Sequence, residues 1–144
     1  MTDLAALLLP QAPDAVIFAD KDGVIRFWND AAARTFGFSA EEALGRSLDL
    51  IIPEEFRQAH WNGFRRALAD GRTKYSGQAL PTRAQRKDGS AIYVELTFAI
   101  VHEGGAPVGA LAHARDITER WTREREQRRR LRELEARLGA AGES

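Results

Sequence analysis

His60 is the side chain best placed to do chemistry. It closes the run Ile52-Pro53-Glu54-Glu55-Phe56-Arg57-Gln58-Ala59-His60. At about 100° per residue, a helix over 53–70 puts Phe56, His60, Phe64 and Ala67 on one face and turns Arg57, Arg65 and Asp70 away. An imidazole between two phenyl rings points at a core and not at water. Such a group can ligate a metal or act on a proton, or it can be an ordinary hydrogen-bonded core residue. Catalysis needs companions, and the chain has no nucleophile elbow, paired carboxylates in an apolar setting, metal-ligand cluster or phosphate loop. These absences argue against an enzyme. There is no cysteine, which removes disulfides, thiolate metal sites, cysteine nucleophiles and any photochemistry that adds a cysteine to a flavin. Of the other histidines, His102 lies by the Gly104-Gly105 turn and is expected in solvent. His113 falls on the last strand and is expected to pack under the C-terminal helix; reversed strand parity would bring it inward instead.

The elements that must position His60 follow from turn chemistry and periodicity. Ala15–Ala19 and Val24–Trp28 are two β-rich runs joined by Asp20-Lys21-Asp22-Gly23, which predicts a hairpin. Asn29-Asp30 caps a helix over 31–36 that Gly37 ends. Ser39 with Glu42 forms a capping box for another helical turn, stopped by Gly45. Pro53 opens the main helix, with Glu54 and Glu55 in its first turn, and Gly71 ends it. The segment 74–86 is interrupted by Gly77 and Pro81 and reads as an edge or bulged strand. Lys87-Asp88-Gly89 is a hairpin turn. The next strand alternates, with Ile92, Val94, Leu96, Phe98 and Ile100 on one face and Tyr93, Glu95, Thr97 and Ala99 on the other. After Glu103-Gly104-Gly105, the last strand, 108–115, sets Ala110, Ala112 and Ala114 against Leu111, His113 and Arg115.

At 144 residues, with 44% hydrophobic and 29% charged residues, the chain fits one domain with a real core. Its formal net charge is zero, so nothing in the balance points to nucleic acid or an anionic membrane. The apolar run Leu4–Leu9 is too short to cross a bilayer and is a poor signal peptide; it is expected to be a helical turn packed on the domain.

From Thr118 to Leu138 the chain reads as one helix. Glu119 with Arg123, Glu124 with Arg128, Glu126 with Arg130 and Glu133 with Arg137 stand at i,i+4 in the favourable order. Ile117, Trp121, Leu131, Leu134 and Leu138 form a sparse apolar stripe near heptad spacing, which suits a parallel pairing of two copies. Arg128-Arg129-Arg130 could suggest a DNA-binding helix. A solvated, salt-bridged face is preferred, because residues 116–138 hold eight arginines against six acids.

Across roughly residues 10–118 this order and its punctuation resemble a PAS domain. Asp22-Gly23 with Ile25 and Asn29 matches the first-hairpin signature. Phe36-Gly37-Phe38 with Glu41-Glu42 and Gly45 matches the next motif, Arg86-Lys87-Asp88-Gly89 the late hairpin, and Asp116-Ile117-Thr118-Glu119 the junction into the signalling helix. The resemblance implies an α+β PAS fold: about five antiparallel strands covered on one face by helices, plus a C-terminal coiled-coil-like helix. The implied divisions are an N-terminal cap (1–13), a sensor domain (14–117) and a signalling helix and tail (118–144).

The segment from Ile52 to His60 is further similar to the I-P-x-x-x-R-x-x-H stretch of haem-binding PAS domains in rhizobial oxygen-sensing histidine kinases and bacterial oxygen-sensor phosphodiesterases. That likeness implies haem b with His60 as its proximal ligand. The implied pocket comprises His60, Phe56, Phe64, Arg66, Lys74, Tyr75, Gln78, Leu80, Val94, Leu96, Phe98, Ala110 and Ala112. Leu96 and Phe98 take apolar distal positions, Ala110 and Ala112 leave room for a flat ring, and Arg66 meets a propionate with Arg65 or Lys74 in support. Leu80 stands where the rhizobial sensors carry a distal arginine, and Gln78 where the phosphodiesterases carry a methionine. The chain therefore lacks the arginine that steadies bound oxygen. Five-coordinate ferrous iron with tight CO or NO binding is expected, and a stable oxygen complex only if Gln78 turns in as a donor.

The expected function is a cytoplasmic sensor of a diatomic gas or of redox state. It would work as a parallel homodimer and pass its signal through the C-terminal helix to a separate effector or to a region outside this sequence, with no nucleic-acid or membrane partner. The alternative is a haem-free PAS module that binds a small organic ligand or simply dimerises.

Overall fold

A computed structural model describes residues 3–73 and 79–142. It begins with α1 (Leu4–Leu8) and a 3-10 turn, Leu9–Gln11. The hairpin of β1 (Ala15–Asp20) and β2 (Ile25–Trp28) follows. Its turn is held by the Asp20 carboxylate, which accepts from the backbone N–H of Asp22 at 2.9 Å and of Val24 at 3.1 Å. Gly23 takes φ 78° there, and a Cβ in its place would lie 2.2 Å from the Trp61 ring. Only glycine suits both demands.

Two short helices come next, α2 (Asp30–Phe36) and α3 (Ala40–Ala43). The Ser39–Glu42 capping box is present, and Leu44, not Gly45, caps α3. The main helix is shorter than expected. Pro53 is extended, Glu54–Phe56 form a 3-10 turn, and α4 runs Arg57–Asp70. The guanidinium of Arg57 donates back to the carbonyls of Ile52 at 3.0 Å and Asp49 at 3.2 Å, which ties this tight entry to the loop before it. Gly71 ends α4 at φ 70°.

β3 (Leu80–Gln85), β4 (Ala91–Glu103) and β5 (Ala106–Asp116) complete the sheet. Of the strand expected over 74–86, the described part forms β3 over Leu80–Gln85, and residues 74–78 lie outside the described residues. The five strands run in the order β2-β1-β5-β4-β3, every pair antiparallel. Phe98 pairs with Ala112 and Ile100 with Ala110, while Ile17 pairs with Ala112 and Ala19 with Ala110. Period two therefore puts Ile17, Ala19, Leu96, Phe98, Ile100, Ala110 and Ala112 on one face, as the alternation of β4 and β5 anticipated.

At the other end of the sheet the core is solid. Ile25, Trp28, Ala32, Phe36, Ile92 and Val94 are all buried, with the Trp28 and Phe36 rings 5.6 Å apart. His113 is exposed on the opposite face, paired with Val16 and Thr97. It lies neither beneath the C-terminal helix nor inside the fold. His102 is exposed, as expected.

The N-terminal turn departs from expectation. Asn29 holds the carbonyl of Leu9 at 3.3 Å, but α1 buries nothing, and Leu4, Leu7 and Leu8 stay exposed. A five-residue helix tethered at one end cannot turn its whole stripe onto the sheet.

α5 (Thr118–Gly142) is joined to the sheet by backbone and side chain together. Ile117 N–H donates to the Tyr93 carbonyl at 2.8 Å, the Thr118 hydroxyl accepts from Tyr93 N–H at 3.0 Å, and Arg120 pairs with Glu95 at 2.9 Å. Trp121 stacks on Tyr93 with centroids 5.0 Å apart and 21° between planes. Beyond this joint the helix leaves the domain, and Leu131, Leu134 and Leu138 are exposed. Of the expected ion pairs, Glu119–Arg123 at 3.9 Å and Glu126–Arg130 at 3.5 Å form, whereas Arg128 lies over the Trp121 ring at 5.8 Å. Because the aromatic stack is the main side-chain contact of the joint, Trp121→Ala should cost about 1–2 kcal/mol. It should also speed amide exchange across the first turns of α5, leaving exchange in β1 and β5 unchanged.

Candidate functional site

Between α4 and the β1-β5-β4 face lies a cavity of about 930 Å³, within the size range of cofactor pockets. Ile17, Ala19, Leu96, Phe98, Ile100, Ala110 and Ala112 line it from the sheet, and Ala59, His60, Gly63, Phe64, Arg66, Ala67 and Asp70 line it from α4. Leu48 closes one side; Arg72 and Thr73 border another. Two alanines in the centre of β5 open the space, since larger side chains at these paired positions would fill it. The charged residues Arg66, Asp70 and Arg72 form the rim, all three exposed.

His60 sits in the α4 wall. Its ring meets Trp61 edge-on at 4.7 Å and Phe64 at 6.0 Å. Trp61 is itself fixed, its indole N–H donating to Asp49 at 2.7 Å. Nδ1 of His60 is buried with no hydrogen-bond partner among the described residues. Burial pushes the His60 pKa below its ordinary value of 6.5, against the opposing charge of Asp49. The neutral imidazole is the form able to offer a lone pair.

The sign of the linkage follows from that depression. Above pH 6.5 both folded and unfolded His60 are neutral; as pH falls below 6.5 the unfolded chain takes the proton first, so stability is lost on the way down to the folded pKa. The urea midpoint of the protein should therefore drop as pH falls from neutrality through 6.5, and more steeply than in His60→Gln. Parallel slopes for the two proteins would refute the linkage.

Of the residues expected around His60, the structure brings Phe64, Arg66, Leu96, Phe98, Ala110 and Ala112 into the cavity lining. Phe56 falls in the 3-10 turn, where the helical face does not continue, and the residue is 44% exposed and off the cavity. Val94 shares the face of Leu96 but is buried in the solid core. Leu80 opens β3 opposite Leu96, half-buried and outside the lining. Lys74, Tyr75 and Gln78 lie outside the described residues. Asp70, expected to turn away, borders the cavity because it stands in the last turn of α4, beside the rim. Sequence reasoning left Ile17, Ala19, Leu48, Arg72 and Thr73 out of the pocket, and with them Ala59, Gly63 and Ile100. Ile17 and Ala19 were legible from strand parity once β1 was paired to β5; Leu48, Arg72 and Thr73 carried no local signal. Among the described residues no group of three His, Asp or Glu could hold a bare metal ion, and no helix is long and apolar enough to cross a membrane.

The architecture is a helix-backed antiparallel sheet in the order β2-β1-β5-β4-β3 with a pocket against its longest domain helix. A family model described as the PAS fold matches residues 9–122, and the chain belongs to that family. It is 30% identical over 142 residues to the sensor protein FixL of Bradyrhizobium diazoefficiens, covering 94% of this chain and 27% of that protein. It is 32% identical over 104 residues to the oxygen sensor protein DosP of Escherichia coli, covering 72% of this chain and 13% of that protein. The chain thus spans only a small part of these relatives. Among solved structures it is similar to an RNA-binding light-oxygen-voltage receptor, with a TM-score of 0.71 and 25% identity over 88% of this chain and 36% of that one. The PAS domain of a Colwellia psychrerythraea protein, at TM-score 0.70 and 24% identity over 81% of this chain and 96% of that one, shares the fold.

Proposed function

We propose that this chain is a PAS sensor module that binds haem b through His60 and responds to a diatomic gas or to a redox change. The observation that carries this reading is His60 itself: an imidazole whose pKa burial lowers, in the wall of a cavity of about 930 Å³ with apolar faces and a rim carrying Arg66, Arg72 and Asp70. The residues fit the group. His60 would ligate the iron, Leu96, Phe98, Ile100, Ala110 and Ala112 would meet the macrocycle, and Arg66 with Arg72 would meet its carboxylates. Bound there, haem would supply an iron centre able to take a gas molecule or change oxidation state. The similarity to an oxygen sensor protein supports the same reading.

The output follows the strands. Leu96 and Phe98 wall the pocket from β4, and Tyr93 on that strand holds Trp121. A shift of the inner wall thus acts on the root of α5. The exposed leucines at 131, 134 and 138 support a parallel homodimer through α5, the element that would carry the signal onward.

A second reading is a haem-free site for a small polar organic ligand. It is favoured by Thr73, whose hydroxyl is buried and unpartnered among the described residues at the cavity edge. Expression with haem supplied, followed by a visible spectrum, separates the two. A Soret band is expected; a colourless protein would leave the second reading.

A further inference from the structure

We propose, resting on the haem reading above, that His60 is a weakly held axial ligand that nitric oxide displaces from the iron and carbon monoxide does not. The site would then distinguish the two gases by whether α4 stays tethered. The argument begins with Nδ1. An axial histidine almost always donates its second ring N–H to a carboxylate, a carbonyl or water, and that bond raises the basicity of the ligating nitrogen. In His60 the second nitrogen is buried beyond the reach of water and has no acceptor among the described residues.

Its surroundings explain why. Trp61 meets the ring edge-on at 4.7 Å and Phe64 at 6.0 Å, and neither offers a lone pair in the ring plane. Asp49, the carboxylate whose charge His60 feels, is committed elsewhere. It accepts from the Trp61 indole at 2.7 Å and stands 3.9 Å from the Arg57 guanidinium. With Nδ1 sealed off, Nε2 is the nitrogen left to meet a cofactor, and it does so as an unassisted neutral imidazole.

Nitric oxide bound to ferrous iron strongly weakens the bond on the opposite side, whereas carbon monoxide does so far less. With an unassisted imidazole the balance tips. The iron–nitrosyl bond forms, the iron–Nε2 bond breaks, its electron pair returns to Nε2 and the proton stays on Nδ1. No electron is transferred and no further reactant is needed.

The test uses the haem-loaded, reduced wild-type protein. Under nitric oxide, the electron paramagnetic resonance signal should show hyperfine splitting from the nitrosyl nitrogen alone, with loss of the imidazole splitting. Under carbon monoxide, resonance Raman should report a retained histidine. The iron–histidine stretch of the ligand-free ferrous form should lie low, toward that of a histidine with no acceptor. Persistent imidazole splitting under nitric oxide, loss of the histidine under carbon monoxide, or a high stretching frequency would overturn the inference while leaving haem binding intact. Failure to load haem at all, read from the missing Soret band, would instead sink the parent reading.

Discussion

His60→Ala is expected to abolish the Soret band of haem-loaded protein without unfolding the domain. The imidazole is the group in the cavity lining placed to ligate iron, so its loss should weaken haem binding by more than the roughly 10–100-fold that losing an outer partner of a metal ligand costs. Stability should fall by about 1–2 kcal/mol, because the ring contacts with Trp61 and Phe64 are lost while the buried nitrogen has no hydrogen bond to lose. The pH-dependent part of stability assigned to His60 should vanish with it. The checks are the visible spectrum, the far-ultraviolet circular dichroism and the urea midpoint. A variant that keeps the wild-type Soret position and intensity would remove His60 from the site.

Asn29→Ala should be the most damaging single change to the fold, at about 3–5 kcal/mol, a large share of the stability of a domain this size. Asn29 is 2% exposed. Its side-chain oxygen accepts from Val16 N–H and Ala32 N–H, both at 2.9 Å. Its amide donates to the carbonyls of Asp14 at 3.0 Å and Leu9 at 3.3 Å. One side chain thus caps α2, closes the start of β1 and ties down the N-terminal turn. Alanine leaves the Val16 and Ala32 N–H groups unpaired in the interior, where no water reaches them. Asp at this position should recover part of the loss, since a carboxylate can accept both N–H bonds but cannot donate to the two carbonyls. Chemical unfolding of the three proteins measures the series; equal stability of Asn29→Ala and wild type would contradict it.

The cap role of Asn29 was legible in the sequence, because an Asn before a helical run satisfies N–H groups three residues away whatever surrounds it. Its bonds to Leu9, Asp14 and Val16 were not, because they cross from one element to another. His60 divides the same way. Helical periodicity put it on the inward face with Phe64, and both line the cavity. The same periodicity carried Phe56 onto that face, and there it failed. Pro53 enforces an extended entry and a 3-10 turn, so the 100° step does not reach back that far. Val94 lies on the correct face of β4, yet it belongs to the packed end of the sheet, because alternation tells which face a residue takes and not where along that face the helices leave a gap.

What the sequence determined by itself is therefore local. The Asp20–Gly23 and Lys87–Gly89 turns, the Asn29 and Ser39–Glu42 caps, the stop at Gly71 and the parity of β4 and β5 all follow from dihedral preferences, short-range hydrogen bonds and a period of two. The tertiary structure alone decided that Leu48 and Thr73 join the cavity, that the Trp61 indole occupies the space above Gly23, and that Trp121 settles on Tyr93. These contacts join residues far apart in the chain, and their existence depends on how whole elements pack. No pattern within a window of ten or twenty residues records that packing.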